Sequence, residues 1–256
     1  MLANERRRKI NELIQRNGAV TTANLVETFK VSVETVRRDL LEMEEAGSLV
    51  RVHGGAVAKG DMKPFKMLSD RNKEFVREKY ALSVKAAEFI SEGDIISVDS
   101  GSTAVFFAQM LREKFSDLTV VTHSLDVFEA LKDYKDFKVI LCGGHYLREE
   151  NAFAGELTLN MLNDVHVNKA FVFVSAISLD KGIYDYQKEI YQLQKKMLQT
   201  ADKVFVLADS SKFEKTGLLK LSDMKTEYVY ITDSSLNEQV LDLYKENDIK
   251  IYLGEK

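Results

Sequence analysis

Seven short apolar runs in the C-terminal part of the chain restrict its fold more than any other feature. They span 95–98, 118–122, 137–141, 170–174, 204–208, 228–232 and 249–253, and helical stretches separate them. The runs lack the apolar–polar alternation of a half-exposed strand, so each is expected to be covered on both faces. Strands of that kind joined through helices build a largely parallel sheet flanked by helices. A helical pattern from Arg71 to Ile90 leads into the first run, with Phe75, Tyr80, Leu82, Val84, Ala86, Ala87 and Phe89 as its apolar positions.

The N-terminal stretch has a different rhythm. Ile10, Leu13 and Ile14 fall at helical spacing, and Gly18 is expected to end that helix. Thr21 or Thr22 can cap a second helix carrying Leu25, Val26 and Phe29. Ser32 can cap a third that runs to about Ala46, where Gly47 stops it. Val33, Val36, Leu40 and Met43 would line its core face. Leu49-Val-Arg-Val-His-Gly-Gly55 then reads as a small β-ribbon with a Gly-Gly turn. Lys59-Gly-Asp-Met-Lys-Pro64 holds the only proline and reads as a linker. The expected organisation is a winged helix-turn-helix over 1–58, a linker over 59–70 and an α/β domain over 71–256.

Charge placement points the same way. The net charge of −4 argues against indiscriminate coating of nucleic acid. Arg6, Arg7, Arg8, Lys9, Arg37, Arg38 and Arg51 nevertheless concentrate positive charge near the N-terminus. With 256 residues the chain is long enough for two domains. There is no apolar run of ~18 residues, so no membrane segment is expected. A single cysteine, Cys142, excludes an intrachain disulfide and fits a reducing cytoplasm. The four histidines are scattered without metal-ligand spacing, so neither a metal nor a cofactor is expected.

On the third helix, Glu34, Thr35, Arg38 and Glu42 share the face opposite the core, and Arg37 sits at its edge. This pattern aims Arg38 and Thr35 at base edges in the major groove and leaves Arg37 to a phosphate. Thr22, Ser32, Arg51 and His53 complete the expected DNA-binding set, as contacts at helix starts and on the wing. The competing view pairs these arginines with Glu34, Asp39 or Glu42 on a solvated face.

Val31-Ser-x-x-Thr-Val-Arg-Arg-Asp-Leu40 followed by Leu49-x-Arg-x-His-Gly-Gly-Ala56 resembles the signature of the DeoR family of bacterial transcription regulators. The resemblance covers nearly the whole chain. It implies a winged helix-turn-helix joined to a sugar-phosphate sensing domain related to ribose-5-phosphate isomerase and glucosamine-phosphate deaminase. It further implies a homo-oligomer, at least a dimer, that represses a carbohydrate operon through operator double-stranded DNA and is released by a phosphorylated sugar or related metabolite.

The expected effector site begins where the first apolar run ends. Asp99-Ser-Gly-Ser-Thr103 lies between that strand and a helix over 104–111. A strand, a Gly/Ser/Thr loop and a helix start make an anion site or an ordinary cap with equal ease. The resemblance assigns Asp99, Ser100, Gly101, Ser102 and Thr103 to a phosphate cradle. Other strand ends supply Thr122, His123 and, in an Asp-x-Ser-Lys-Phe segment, Lys212 as the cationic candidate. Glu189 fits a position that is acidic in the family.

Two positions depart from the family pattern. Ser178 stands where the family has an acid, and Tyr191 stands where it often has a base. The alternative reading is a sugar-phosphate isomerase or deaminase carrying a DNA-binding domain, with Asp99 or Glu189 as base. Replacement of the acid at Ser178 weighs against it, so no catalytic residue is assigned.

Overall fold

The computed structural model describes residues 2–17, 19–52, 54–58 and 68–255. The proposed helix stop at Gly18, the wing residue His53 and the linker motif 59–64 lie outside the described residues.

The N-terminal elements are α1 (Ala3–Asn17), β1 (Ala19–Thr21), α2 (Thr22–Phe29), α3 (Val33–Glu45), β2 (Leu49–Val52) and β3 (Gly55–Ala58). Thr21 caps α2, its side chain accepting from Asn24 N at 3.0 Å. Ser32 caps α3 by accepting from Thr35 N at 3.2 Å. Such caps satisfy amides that the first helical turn leaves without partners. Three antiparallel strands in the order β1-β3-β2 form the wing. Gly54, at φ +85°, makes the turn between β2 and β3. Gly55 has a different role. A Cβ there would lie 2.0 Å from the Val20 carbonyl oxygen, so only glycine lets β3 approach β1 this closely. Ile10, Ile14, Val20, Leu25, Val36, Leu40, Met43, Leu49 and Ala56 form the core of this module.

Two expectations about this module need correction. Val33 is 45% exposed and does not line the core. It is the first residue of α3, one turn before the helix reaches the packed face at Val36. Arg6 is not part of a basic surface either. It is buried and ion-paired with Asp39, and Arg7 reaches the same carboxylate at 3.3 Å. Asp39 therefore ties α3 to α1 and does not neutralise the arginines next to it in sequence.

Onward the elements are α4 (Leu68–Arg71), α5 (Val76–Ala87), β4 (Ile95–Val98), α6 (Ser102–Lys114), β5 (Leu118–Thr122), α7 (Leu125–Leu131), β6 (Phe137–Leu141), β7 (His145–Leu147) and β8 (Ala152–Ala154). Then come α8 (Glu156–Asn163), β9 (Val167–Phe173), β10 (Ala176–Ser178), β11 (Gly182–Asp185), α9 (Lys188–Thr200) and β12 (Ala201–Leu207). A 3₁₀ turn (Ser210–Lys212), β13 (Leu219–Ser222), β14 (Val229–Asp233), α10 (Glu238–Glu246) and β15 (Ile251–Gly254) complete the chain.

All seven apolar runs enter one parallel sheet, in the order β15-β14-β12-β9-β4-β5-β6. The strands β9 and β12 begin three residues before their apolar runs, at Val167 and Ala201, because polar residues such as Lys169 and Lys203 extend the ladder past the core. At the centre, Phe171 stacks on Phe205 with ring centroids 4.8 Å apart, and Phe107 packs on Phe171 at 4.6 Å. Aromatic pairs of this kind contribute ~0.5–1.5 kcal/mol beyond their burial.

The expected helix over 71–90 is broken. Phe75 takes a left-handed conformation at φ +52°, which separates α4 from α5. Two further pieces carry too little local periodicity to be seen in advance. The hairpin β7-β8 is one. The antiparallel sheet β10-β11-β13 is the other, and it joins strands far apart in sequence. Among the described residues the chain forms two compact units. The winged helix clusters with residues 175–188 and 214–223 in one, and the parallel sheet with its helices forms the other.

Candidate DNA-binding and effector sites

The exposed face of α3 keeps its arginines accessible. The Arg38 side chain is 82% exposed and meets Glu42 at 3.3 Å, while Arg37 meets Glu34 at 3.6 Å. Exposed pairs like these contribute ~0–1 kcal/mol, so a guanine edge or a phosphate can displace the carboxylate. Arg51, on β2, has its side chain 3.9 Å from Glu44, and its amide donates to the same carboxylate at 2.8 Å. The hydroxyls of Ser32 and Thr35 lie 2.8 Å apart, so Ser32 orients Thr35 while capping the helix. Thr22 is placed differently from the expectation. Its amide donates to Gly54 O at 2.7 Å, leaving only the hydroxyl for a phosphate.

The sheet topology locates the second site. From β4 the chain winds outward through β5 and β6, and later from β9 outward through β12, β14 and β15. The strand order therefore reverses between β4 and β9, and a ligand crevice opens beyond the carboxyl ends of strands at such a point. The 99–103 loop follows β4 there. Gly101 sits at φ +120° as the N-cap of α6, a conformation that a side chain strongly disfavours. No side chain caps α6, so its first amides and its positive end face the loop.

Of the residues expected at this site, Asp99, Ser100, Gly101, Ser102, Thr103, Thr122 and His123 are buried, whereas Glu189 and Lys212 are half-buried. Asp99 has no exposure, and both of its oxygens accept from the protein. Ser100 N donates to Oδ1 at 2.7 Å and His123 Nε2 lies 3.1 Å from it. Phe173 N donates to Oδ2 at 3.1 Å and Gln194 Nε2 at 2.9 Å. Asp99 thus anchors the loop to β9 and α9, where the expectation placed it in contact with the effector. Thr122 is likewise internal, donating to Val98 O at 2.7 Å and accepting from Ser124 N. His123 has no exposure, and its Nδ1 has no partner. The hydroxyl of Ser100, 3% exposed, has none either.

Sequence reasoning missed Arg71 and Lys79. The Arg71 Nη1 atom would lie 3.9 Å from a Cβ on Gly101, so the guanidinium sits beside the loop. Its Nη2 is paired with the buried Glu150 carboxylate. Lys79, 3% exposed on α5, donates to the carbonyls of Arg71 and Glu74. Burial pulls its ammonium down to about 8. The nearby Asp209 opposes that shift, and the Lys212 and Arg71 charges add to it. Arg71, Lys79 and Lys212 are thus close enough to interact, on three separate elements. Glu189 is half-buried in the first turn of α9.

Comparison with known proteins agrees with both halves of this arrangement. Residues 6–60 match the DeoR-like helix-turn-helix domain, and residues 74–234 match the DeoR C terminal sensor domain. The chain belongs to the DeoR family of transcriptional regulators. It is similar to the uncharacterized HTH-type transcriptional regulator YulB of Bacillus subtilis (strain 168), with 31% identity over 98% of this chain and 96% of that protein. To the Glycerol-3-phosphate regulon repressor of Escherichia coli (strain K12) the identity is 28%, over 99% of this chain and 100% of that one. Among solved structures it is similar to a D-ribose-5-phosphate isomerase in complex with phospho-erythronic acid. The TM-score is 0.41 at 17% identity, and the match spans about half of each chain, 54% in both cases.

As a DeoR-family regulator the chain pairs a DNA-binding module with a sensor domain. No helix among the described residues is long and apolar enough to cross a membrane. Arg71 and Lys79 carry no sequence signal of their own, because a helix rich in Lys, Arg and Glu reads as solvated until its packing is known.

Proposed function

We propose that this protein represses an operon for the use of a sugar or polyol and leaves its operator when a phosphorylated metabolite binds the sensor domain. The observation that carries this reading is the 99–103 loop at the strand-order reversal. An uncapped helix start, an unpartnered Ser100 hydroxyl and the Arg71 guanidinium meet there. That combination suits a phosphate ester better than a neutral sugar. The name of the Glycerol-3-phosphate regulon repressor supports the same ligand class and the same sign of regulation.

In this reading residues 1–58 bind DNA, 59–70 link and 71–256 sense. Arg38 and Thr35 read base edges, while Arg37, Arg51, Thr22 and Ser32 position the module on phosphates. Ser100, Gly101, Ser102, Thr103 and Lys212 hold the effector. Glu189, at the start of α9, is the acidic group for its hydroxyls, and His123 fixes Asp99 from behind. The protein acts in the cytoplasm as a homo-oligomer, because a single winged helix buries too little surface to select one site in a genome. Catalysis is not part of this role: Asp99, one of the two candidate bases, has both oxygens engaged, and Ser178 stands where the family has an acid, which leaves Glu189 to bind hydroxyls.

The test is operator release. DNA from upstream of the regulator's own gene and of its neighbours is titrated by fluorescence anisotropy, with and without a panel of sugar and polyol phosphates. Release by one phosphorylated compound and not by its free sugar is the expected result. Binding unaffected by every member of the panel would overturn the effector assignment, and turnover of any member would overturn the non-enzymatic one.

A further inference from the structure

Arg7, on α1, bridges two carboxylates of α3. Its Nε lies 3.3 Å from Oδ1 of Asp39, and its Nη2 lies 2.6 Å from Oε2 of Glu42, about one turn further along that helix. A guanidinium presents its donors in a fixed planar fork, so the buried Asp39 sets where the second arm points. The other oxygen of Glu42, Oε1, lies 3.3 Å from Arg38 Nε. Charges therefore alternate from Arg6 through Asp39, Arg7 and Glu42 to Arg38. The two arginines of α1 balance the two carboxylates of α3, which leaves a net positive charge at Arg38. Arg37 is placed differently. Its partner Glu34 is 85% exposed and 3.6 Å away, whereas the Glu42 side chain is 35% exposed and held by Arg7 at closer range. Water and salt screen the first pair more than the second.

We propose that Arg7 sets the operator specificity of the module without touching a base, acting through Glu42 as a positioning residue for Arg38. This rests on the reading of Arg38 as the base reader and names the residue that prepares it. On entering the major groove, Arg38 leaves Oε1 for a guanine edge. Glu42 then stays on Arg7, pinned and neutralised. Without Arg7 the carboxylate would follow the Arg38 guanidinium or face the DNA phosphates, and a misplaced charge of that sign costs affinity and disturbs register. A side chain on α1 thus decides whether the reading face of α3 is cationic where it has to be.

The probes are the tightest-binding of the upstream duplexes and a scrambled duplex of equal length. Each is titrated with full-length protein at several salt concentrations and followed by fluorescence anisotropy. Arg7→Met weakens operator binding by about tenfold, within what one arginine–guanine contact supplies, and scrambled binding by less than about threefold. Glu42→Gln stays within about threefold of the wild type, because the amide can accept from either arginine and carries no charge to neutralise. Combining the two changes restores the binding that Arg7→Met loses. Glu42→Asp keeps the charge on a side chain too short to lie between both arginines, so it reproduces the loss while the Arg7–Asp39 pair stays intact. That variant carries the test if circular dichroism shows Arg7→Met to be unfolded.

Equal weakening of both duplexes by Arg7→Met, with the salt slope reduced by about one and no rescue by Glu42→Gln, would make Arg7 a phosphate contact and overturn this inference. Operator binding unchanged in Arg7→Met or in Glu42→Asp would also overturn it and leave Arg38 as the base reader. An Arg38→Ala protein, or a wild type, that treats operator and scrambled DNA alike has a different meaning in each case. The first is expected, and the second would overturn the base-reader assignment and this inference together.

Discussion

Gln194, on α9, donates from Nε2 to Oδ2 of Asp99 at 2.9 Å, joining a helix that begins at Lys188 to the loop that ends β4. The same amide nitrogen lies 3.3 Å from the Phe173 carbonyl, so one side chain ties together β9, α9 and the candidate effector loop. Asp99 is the hub of this arrangement. It lies where the strand order reverses, and it accepts from four groups while fully buried.

Removing that hub leaves several buried donors without a partner. Asp99→Ala is expected to destabilise the sensor domain by about 3 kcal/mol or more, because each orphaned donor costs ~1–3 kcal/mol. Gln194→Leu loses one bond to a charged acceptor, about 1.5–3 kcal/mol. Urea unfolding followed by circular dichroism measures both. An Asp99→Ala protein as stable as the wild type would show that the carboxylate is not the loop's anchor.

Ser100 should behave in the opposite way. Its hydroxyl is buried and unpartnered, so Ser100→Ala is expected to hold or raise the melting temperature of the ligand-free protein. The same change should reduce the thermal shift given by the effector or by phosphate. Stability kept and response lost is the mark of a group held for its ligand. A parallel fall in both would assign Ser100 to the fold alone.

On α3, neighbouring charges are expected to separate cleanly. Asp39→Ala removes the carboxylate that pairs with the buried Arg6 and should cost ~3–5 kcal/mol of stability. Arg38→Ala should change stability by less than ~0.5 kcal/mol, yet weaken specific operator binding by ~1–3 kcal/mol. Arg37→Ala should weaken specific and non-specific DNA alike and reduce the salt slope by about one. Anisotropy titrations at several salt concentrations separate these cases. Equal loss of specificity from both arginine variants would remove the distinction between base reader and phosphate anchor.

Lys79 gives the protein a pH dependence of predictable sign. Its ammonium titrates near 8 in the fold and near 10.5 when solvated. Below about 8 both states hold the proton, so the desolvation penalty is fully present. Between the two values the unfolded chain keeps a proton that the native one has released, and stability from this residue rises with pH. The stability of the wild type relative to Lys79→Met should therefore improve on going from about pH 7.5 to about pH 9.5. Urea unfolding of the pair at both pH values checks this. A constant difference would place the Lys79 pKa at its ordinary value.

Local signals in the chain were strong wherever a short segment carried its own physical reason. Ser32, and Thr21 or Thr22, announce helix starts because a short hydroxyl side chain just before a helical run can accept from an amide of the first turn, and the structure selects Thr21. The seven apolar runs announce a parallel sheet, and its inner strands are covered on both faces, whereas the edge strand β6 leaves Lys138 and Ile140 exposed. Where long-range packing decides, the signal fades. Phe75 breaks a helical pattern that looks continuous, and β13 joins β11 across a long stretch of intervening chain.

The sequence alone determined that a capped helix bearing Arg37 and Arg38 precedes a small β-ribbon, and that an α/β domain with a Gly/Ser/Thr loop after its first strand follows. These are properties of neighbours, and periodicity and capping chemistry act between neighbours. The tertiary structure decided which charges are available. It buried Arg6 against Asp39 and closed Asp99 into the interior. It also brought Arg71, carried on a separate helix, beside Gly101. Burial and pairing depend on elements distant in the chain, and a carboxylate or guanidinium reads the same in sequence whether it faces solvent, a partner or a ligand.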